Sequence, residues 1–291
     1  MSSESHSFNL AAVESAIAAT QFAGHLHHLA TTPSTNDIAL KAALAGARTG
    51  VWIADRQIAG RGRGAHTWHS PAGAGLYMTA LAAPAIPMQS ALALSLRVAI
   101  AAQSAICSVL GFTRPGEIDI RWPNDLLLHG RKVGGILIDT ASNPATPAQP
   151  ATLRYAVIGI GVNINHTSFP PELARIATSL RRELAGAPGL ASETWVHGPL
   201  AREPLAAAIL IALDEELNRL TANLEPRTSN LEPDATGIST WIKGKRVRVE
   251  TRDGDPGYTG TTAGLNPSGF LLVHGDDGQL HTVLSGGLRE P

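Results

Sequence analysis

Short apolar runs alternate with polar loops through the first third of the chain. Asn9 to Thr20 has helical spacing, and Thr32-Pro33-Ser34-Thr35-Asn36-Asp37 leads into IALKAALAGA, whose period predicts a helix from about Asp37 capped by Ser34, Thr35 or Asn36. Val51 to Ala54 and Leu76 to Thr79 read as strands. From Ser90 to Leu110, Leu92, Leu94, Leu96, Val98, Ile100 and Ile106 stand among alanines, which predicts a long, largely buried helix. Glu117–Trp122, Leu126–His129 and Val133–Asp139 then read as a meander of strands, with corners at Pro123-Asn124-Asp125 and Gly130-Arg131-Lys132. Ala141 to Thr152 is a Pro/Ala-rich exposed loop between antiparallel strands, the second running from Tyr155 through GIGVNIN with Asn163 and Asn165 on one face. Pro171 to Leu220 is helical in pattern. Asn223-Leu-Glu-Pro226 recurs as Asn230-Leu-Glu-Pro233 and reads as a linker, after which short strand runs between Gly/Asp/Asn/Pro turns predict a small antiparallel barrel.

The resulting fold class is α/β: a mixed sheet flanked by helices over residues 1–237, linker included, and a small β-barrel over 238–291, with few core contacts expected between them. Composition sharpens this. With 291 residues and 44% hydrophobic content the chain can build a large core. Lys plus Arg total 23 against 24 Asp plus Glu, a balance of −1, so any anion site is local and not a general basic field. The single cysteine, Cys107, excludes an intrachain disulfide and a Cys-based zinc site, and reads as core packing. The N-terminus has neither a basic signal region nor an apolar stretch of spanning length, which makes the cytoplasm the expected location and excludes a membrane partner. His25, His27 and His28 lack the acidic or thiol partners of a metal site and read as polar surface.

Three stretches carry candidate chemistry. Gly60-Arg61-Gly62-Arg63-Gly64 sets glycines beside permanently charged guanidinium groups between two strands, which suits an anion-holding loop, with a polar connection as the bland alternative. Ser34, Thr35 and Asn36 either cap a helix or converge with its N–H groups on a small polar ligand. Lys132, followed by Gly134-Gly135 and an apolar strand, has its stem carried by a rigid element, as a catalytic lysine requires.

Taken in order, GRGR followed by Trp68, Ser70-Pro71, Gly73 and Gly75-Leu76-Tyr77, then Arg121-Trp-Pro-Asn-Asp125, Arg131-Lys-Val-Gly-Gly-Ile-Leu137 and Gly159-Ile-Gly-Val-Asn163, resembles the biotin protein ligases in sequence and spacing. Residues 260–287 resemble that family's SH3-like C-terminal domain. The resemblance implies a ligase that joins biotin to ATP as biotinyl-5′-AMP and then passes biotin to a lysine of a biotin carboxyl carrier protein. It implies Lys132 and Arg63 as catalytic groups. Ser34, Thr35, Asn36, Gln57, Gly60, Arg61, Gly62, Arg63 and Lys132 would bind biotin, and Arg63, Trp68, Asn124 and Asn163 the nucleotide. Asp125 would sit on the Mg2+ side. Ala65-His66 stands where the family commonly has a Gly-Arg pair, and Arg121 where it often has lysine. The resemblance allows a homodimer through the catalytic sheet.

Only about thirty residues precede the Ser-Thr-Asn motif, too few for the winged helix of the DNA-reading members, so a monofunctional ligase with no DNA partner is expected. A lipoate ligase of the same fold and a nucleic-acid-binding protein are the rival readings. The Arg/Gly loop with its linked motifs opposes the first, and 4% aromatic content with a charge of −1 opposes the second.

Overall fold

Continuous apolar runs of strand length become the centre of a sheet when both of its faces are covered. In the computed structural model this holds for β3 (Gly75–Ala82), buried along its whole length, and for β7 (Thr152–Asn163), its antiparallel neighbour. The structure describes residues 8–64, 66–88, 91–112, 117–147, 149–185, 198–222, 239–250, 257–266, 269–284 and 286–291. Around the central pair lie β1 (Leu26–Thr32), β2 (Gly50–Gln57), β4 (Ile118–Arg121), β5 (Asp125–Leu128) and β6 (Arg131–Asn143). Their order is β1-β2-β3-β7-β6-β5-β4, parallel between β1 and β2 and antiparallel elsewhere.

The period-2 alternation of strands splits this sheet into two faces. Leu76, Met78, Ala80, Ile136, Ile158, Ile160 and Val162 join a large core with helices α1 (Leu10–Ala16), α3 (Ala91–Leu110) and α5 (Glu203–Ala222). The other face carries a smaller cluster in which Leu81, Tyr155 and Val157 pack on α2 (Thr35–Leu44) through Ala39 and Ala43. Thr79, Gly135, Gly159, Gly161 and Asn163 point to this second face, which α2 covers only in part.

β1 reads as polar because it is an edge strand. His27 stacks on Trp52 with centroids 5.3 Å apart, and His28 pairs with Asp55 at 3.1 Å, so two of the histidines serve packing and pairing. The helical expectation for Pro171–Leu220 is corrected: turns occupy 171–176, and a short α4 (Leu180–Ala185) precedes α5, with 186–197 outside the described residues.

β8 (Lys243–Glu250), β9 (Tyr258–Leu265), β10 (Leu271–Gly275), β11 (Leu280–Val283) and β12 (Gly287–Arg289) form a second antiparallel sheet, ordered β11-β10-β9-β8-β12. The Asn-Leu-Glu-Pro duplication and the 237/238 boundary lie outside the described residues. More core crosses between the two sheets than the sequence implies. Trp122 and Leu127, each 2% exposed, pack with Trp241, Val247, Val249, Leu271, Val273 and Leu288, and Ser239 Oγ donates to the Ile120 carbonyl at 2.5 Å.

Candidate active site

The uncovered part of the sheet face is the floor of a cavity of about 500 Å³. At the floor, side chains are missing where others press in. A Cβ on Gly159 would stand 2.2 Å from Asn36 Oδ1, and one on Gly161 would stand 2.6 Å from the Trp68 indole nitrogen. Gly135, paired with Gly161 across β6 and β7, leaves room for Trp68 and the Lys132 stem.

At one end the polar groups are uncharged. Gln57 Oε1 accepts from the Thr35 N–H at 2.9 Å and its hydroxyl at 3.1 Å, while Gln57 Nε2 donates to Ser70 Oγ at 3.0 Å. Thr79 Oγ1 lies 2.7 Å from Thr35 Oγ1 and 2.8 Å from Asn36 Oδ1, and its one proton serves one of them at a time. Asn36 Nδ2 and Trp68 Nε1 are buried donors with no partner among the described residues. Buried donors cost free energy when left unmet, so this end is built for a ligand with acceptors.

At the other end the groups are charged. Asp125 is held by Lys132 Nζ at 2.5 Å through one oxygen and by Arg121 Nη2 at 2.6 Å through the other. Burial would push its carboxyl up, but the charges and hydrogen bonds of Lys132 and Arg121 more than offset this and hold it below the ordinary range. The Lys132 ammonium also stands 5.3 Å from the centre of the Trp68 ring.

The Arg/Gly loop folds as a small hairpin: Arg61 bridges to Thr67, and the Gly62 N–H donates to the His66 carbonyl at 2.8 Å. Gly64 takes φ +66, which glycine adopts without strain. Its two arginines point to different partners. Arg61 Nη1 sits between Asp37 at 3.0 Å and Asp139 at 3.1 Å, so two carboxylates match its one charge. Arg63 spans from Asn124 Oδ1 at 3.2 Å to the Gly286 carbonyl at 2.9 Å, tying the loop to the second sheet. Positive charge over the cavity therefore comes from Arg63 and from Arg121 and Lys132, which between them share the one negative charge of Asp125, with Arg61 largely offset.

Of the site residues that the resemblance implies, all but Ser34 and Gly60 line the cavity. Ser34 is 1% exposed and makes no side-chain cap bond to α2; separately, the Gln57 side chain accepts from the first helical N–H, that of Thr35. A Cβ on Gly60 would meet the Trp68 carbonyl at 2.6 Å, so this glycine serves loop packing behind the wall. Asn163 lines the cavity, yet its Nδ2 donates to the Thr178 carbonyl at 3.0 Å, and Asn165 binds Leu200. Sequence reasoning missed Thr79, a lone polar residue inside a wholly buried strand, which was the available signal. It also missed Phe169, Leu173 and Ile176 on one wall and Gly286 to Arg289 on another. Behind Phe169 lies His166, 3% exposed and stacked on that ring at 4.8 Å with His69 5.7 Å away.

Residues 29–163 match the Biotin/lipoate A/B protein ligase family, and residues 243–286 match the Biotin protein ligase C terminal domain. The biotin--[acetyl-CoA-carboxylase] ligase of Mycobacterium tuberculosis is 30% identical over 262 residues, 89% of this chain and 86% of that protein. The chain belongs to the biotin/lipoate protein ligase family.

Within this family, the bifunctional ligase/repressor BirA of Bacillus spizizenii is 33% identical over 229 residues, covering 78% of this chain. The chain spans 62% of the length of that relative. The biotin protein ligase of Aquifex aeolicus, solved in complex with biotin and ATP, shares the fold with a TM-score of 0.66 at 22% identity, covering 92% of this chain and all of the other. A biotin protein ligase from Leishmania major in complex with biotinyl-5-AMP aligns with a TM-score of 0.54 at 25% identity, over 90% and 99% of the two chains.

The donors around Asp125 bear on whether the protein holds a magnesium ion of its own. Both Asp125 oxygens are taken by cations, and no group of three His, Cys, Asp or Glu side chains suited to a metal occurs among the described residues. These residues do not fit a protein-held ion. No described helix is long and apolar enough to cross a membrane.

Proposed function

We propose that the protein is a biotin–carrier-protein ligase. In the first step the biotin carboxylate attacks the α-phosphorus of ATP, giving biotinyl-5′-AMP and pyrophosphate. In the second, a lysine amine of a biotin carboxyl carrier attacks the acyl carbon, forming the amide and releasing AMP. The observation that carries this reading is the polarity gradient of one cavity: unmet uncharged donors at Asn36, an apolar middle at Trp68, and the Arg63, Arg121 and Lys132 cations at the far end. Biotin has the matching sequence of a ureido head, a thioether-containing ring with an apolar tail, and a carboxylate.

Two anions must meet for the first step, and preorganised cations lower the barrier by stabilising charge that concentrates in the transition state. Lys132 lies on the carboxylate and then on the acyl phosphate. Arg121 holds Asp125 so that Lys132 stays beside it, and Arg63 closes the loop over the nucleotide. Magnesium enters with the nucleotide, as MgATP. The reading includes two units meeting near 237/238, a carboxylase carrier as protein substrate and cytoplasmic work. The test mixes the protein with biotin, MgATP and a carrier domain and weighs the carrier by mass spectrometry. Biotin on one lysine is expected; an unmodified carrier beside a folded protein refutes the reading. Comparing biotin with lipoate in thermal unfolding separates the two acyl ligands, because only the one bound by the native state raises the midpoint.

A further inference from the structure

Lys132 is not held by the regular ladder alone. The pairing of β5 with β6 shifts between Leu126, which faces Gly134, and Leu127, which faces Lys132. Val133 is the extra residue, and such a bulge re-aims the side chains beside it. The Lys132 backbone is tied elsewhere: its N–H donates to the Ile176 carbonyl at 2.8 Å, and its carbonyl accepts from the Thr178 N–H at 2.9 Å, in a parallel bridge centred on Ala177.

That segment is anchored from α4. The Thr178 hydroxyl donates to Glu183 Oε1, and Arg131 donates to the same oxygen at 2.5 Å. The other Glu183 oxygen meets His129 Nδ1 at 2.7 Å. One carboxylate therefore grips the residue before Lys132, the turn leading to it, and the residue after its bridge partner. The Glu183 side chain is only 10% exposed, while Arg131 at 36% and His129 at 52% leave the outer side of these charge-assisted bonds open to water.

We propose that Glu183 is a positioning residue for Lys132, locking segment 176–178 to the β5–β6 turn so that the ammonium stays above Trp68 and beside Asp125. The proposal rests on the ligase reading, in which Lys132 meets the reacting carboxylate. A misplacement of about 1 Å can cost a hundredfold in rate, so Glu183→Gln, which keeps size and loses charge, should lower single-turnover pyrophosphate release by about tenfold. The biotin KM should stay within about twofold, since the uncharged end of the cavity is untouched.

The deciding measurement repeats Glu183→Gln in a Lys132→Ala background, with long incubations to read the residual rate. If Glu183 acts through Lys132, its loss there should be under about twofold, and Glu183→Asp should recover part of the wild-type rate in the parent. An equal loss in both backgrounds would make Glu183 merely structural, and no loss in either would also overturn the proposal. Should Glu183→Gln fail to fold, Thr178→Val, which removes one of the three contacts, goes through the same cycle, where the same two outcomes would overturn the proposal. A wild-type protein that released no pyrophosphate with biotin would bring down the ligase reading and this role together, whereas a normal wild-type rate with an indifferent Glu183 would remove this role alone.

Discussion

Lowering the pH from 8 to 5 should cost the protein about 2 kcal/mol of stability through His166 alone. The ring is 3% exposed against Phe169, and the Ala74 and His69 carbonyls near its nitrogens make no well-formed hydrogen bond to them. Burial, and then the charge of His69, hold its pKa down to about 4 from an ordinary 6.5, with the Ala74 and His69 carbonyls offsetting only part. The sign follows from proton counting. Between these two values the unfolded chain binds a proton that the folded one refuses, so stability falls as the pH falls. One group changes stability by up to about 1.4 kcal/mol per pH unit in that window, and integration from 8 to 5 gives about 2 kcal/mol. Urea unfolding at pH 8, 7, 6 and 5 would compare wild type with His166→Leu, a side chain of similar size that cannot titrate. Titration of the other groups is common to both proteins, so the difference between the two curves isolates His166. The variant should lose about 2 kcal/mol less over the range; curves that stay parallel within about 0.5 kcal/mol would refute the reasoning.

Lys132→Ala should lower pyrophosphate release by about 2.7 to 4 kcal/mol of barrier while the protein stays folded. Because Asp125 loses one of two cationic partners, thermal unfolding should also show a loss of about 1 to 3 kcal/mol, more than an exposed lysine would give. Arg63→Gly cuts the ties to Asn124 and Gly286, and at matched adenylate production it should raise labelling of bystander proteins; equal labelling would end the loop's role as a lid. Removing residues 239–291 should cost the remaining sheet about 3 to 6 kcal/mol by uncovering Trp122 and Leu127, and an unchanged urea midpoint would count against the shared core.

The elements read best from the sequence were those with one dominant force. β3 and β7 are buried on both faces, so their apolar runs are continuous, and α3 buries apolar side chains from Leu94 to Leu110. The Arg/Gly loop and the Gly134-Gly135 pair were visible because they stand between strand-like runs and recur in order with other linked motifs. Partnership over distance was not visible. Nothing beside Trp122 announces that its indole packs among residues 241–288, or that Asp37 and Asp139 would neutralise Arg61. The resemblance gave Asn163 to the nucleotide, and it does line the cavity, but that its side-chain N–H would donate to the Thr178 carbonyl could not be read from the sequence. Ser34 stands at the N-cap position of α2 as its composition suggested, but its side chain makes no cap bond, and Gln57 from β2 meets only the first helical N–H.

The glycines under the cavity have a consequence for how its chemistry can change. Gly135, Gly159 and Gly161 contribute bare backbone, so the central strands hold the shape of the floor without giving it a chemical character. That character is borrowed from Asn36 at the start of α2 and from Trp68 on the loop, neither of which belongs to the sheet. Preference for one ligand over another can therefore drift at positions 36 and 68 while the strands that carry the fold remain as they are. A side chain would do the reverse one visitor at a time: on Gly159 it would displace Asn36, on Gly161 it would displace Trp68, and on Gly135 it would press on the Lys132 stem and the Trp68 ring.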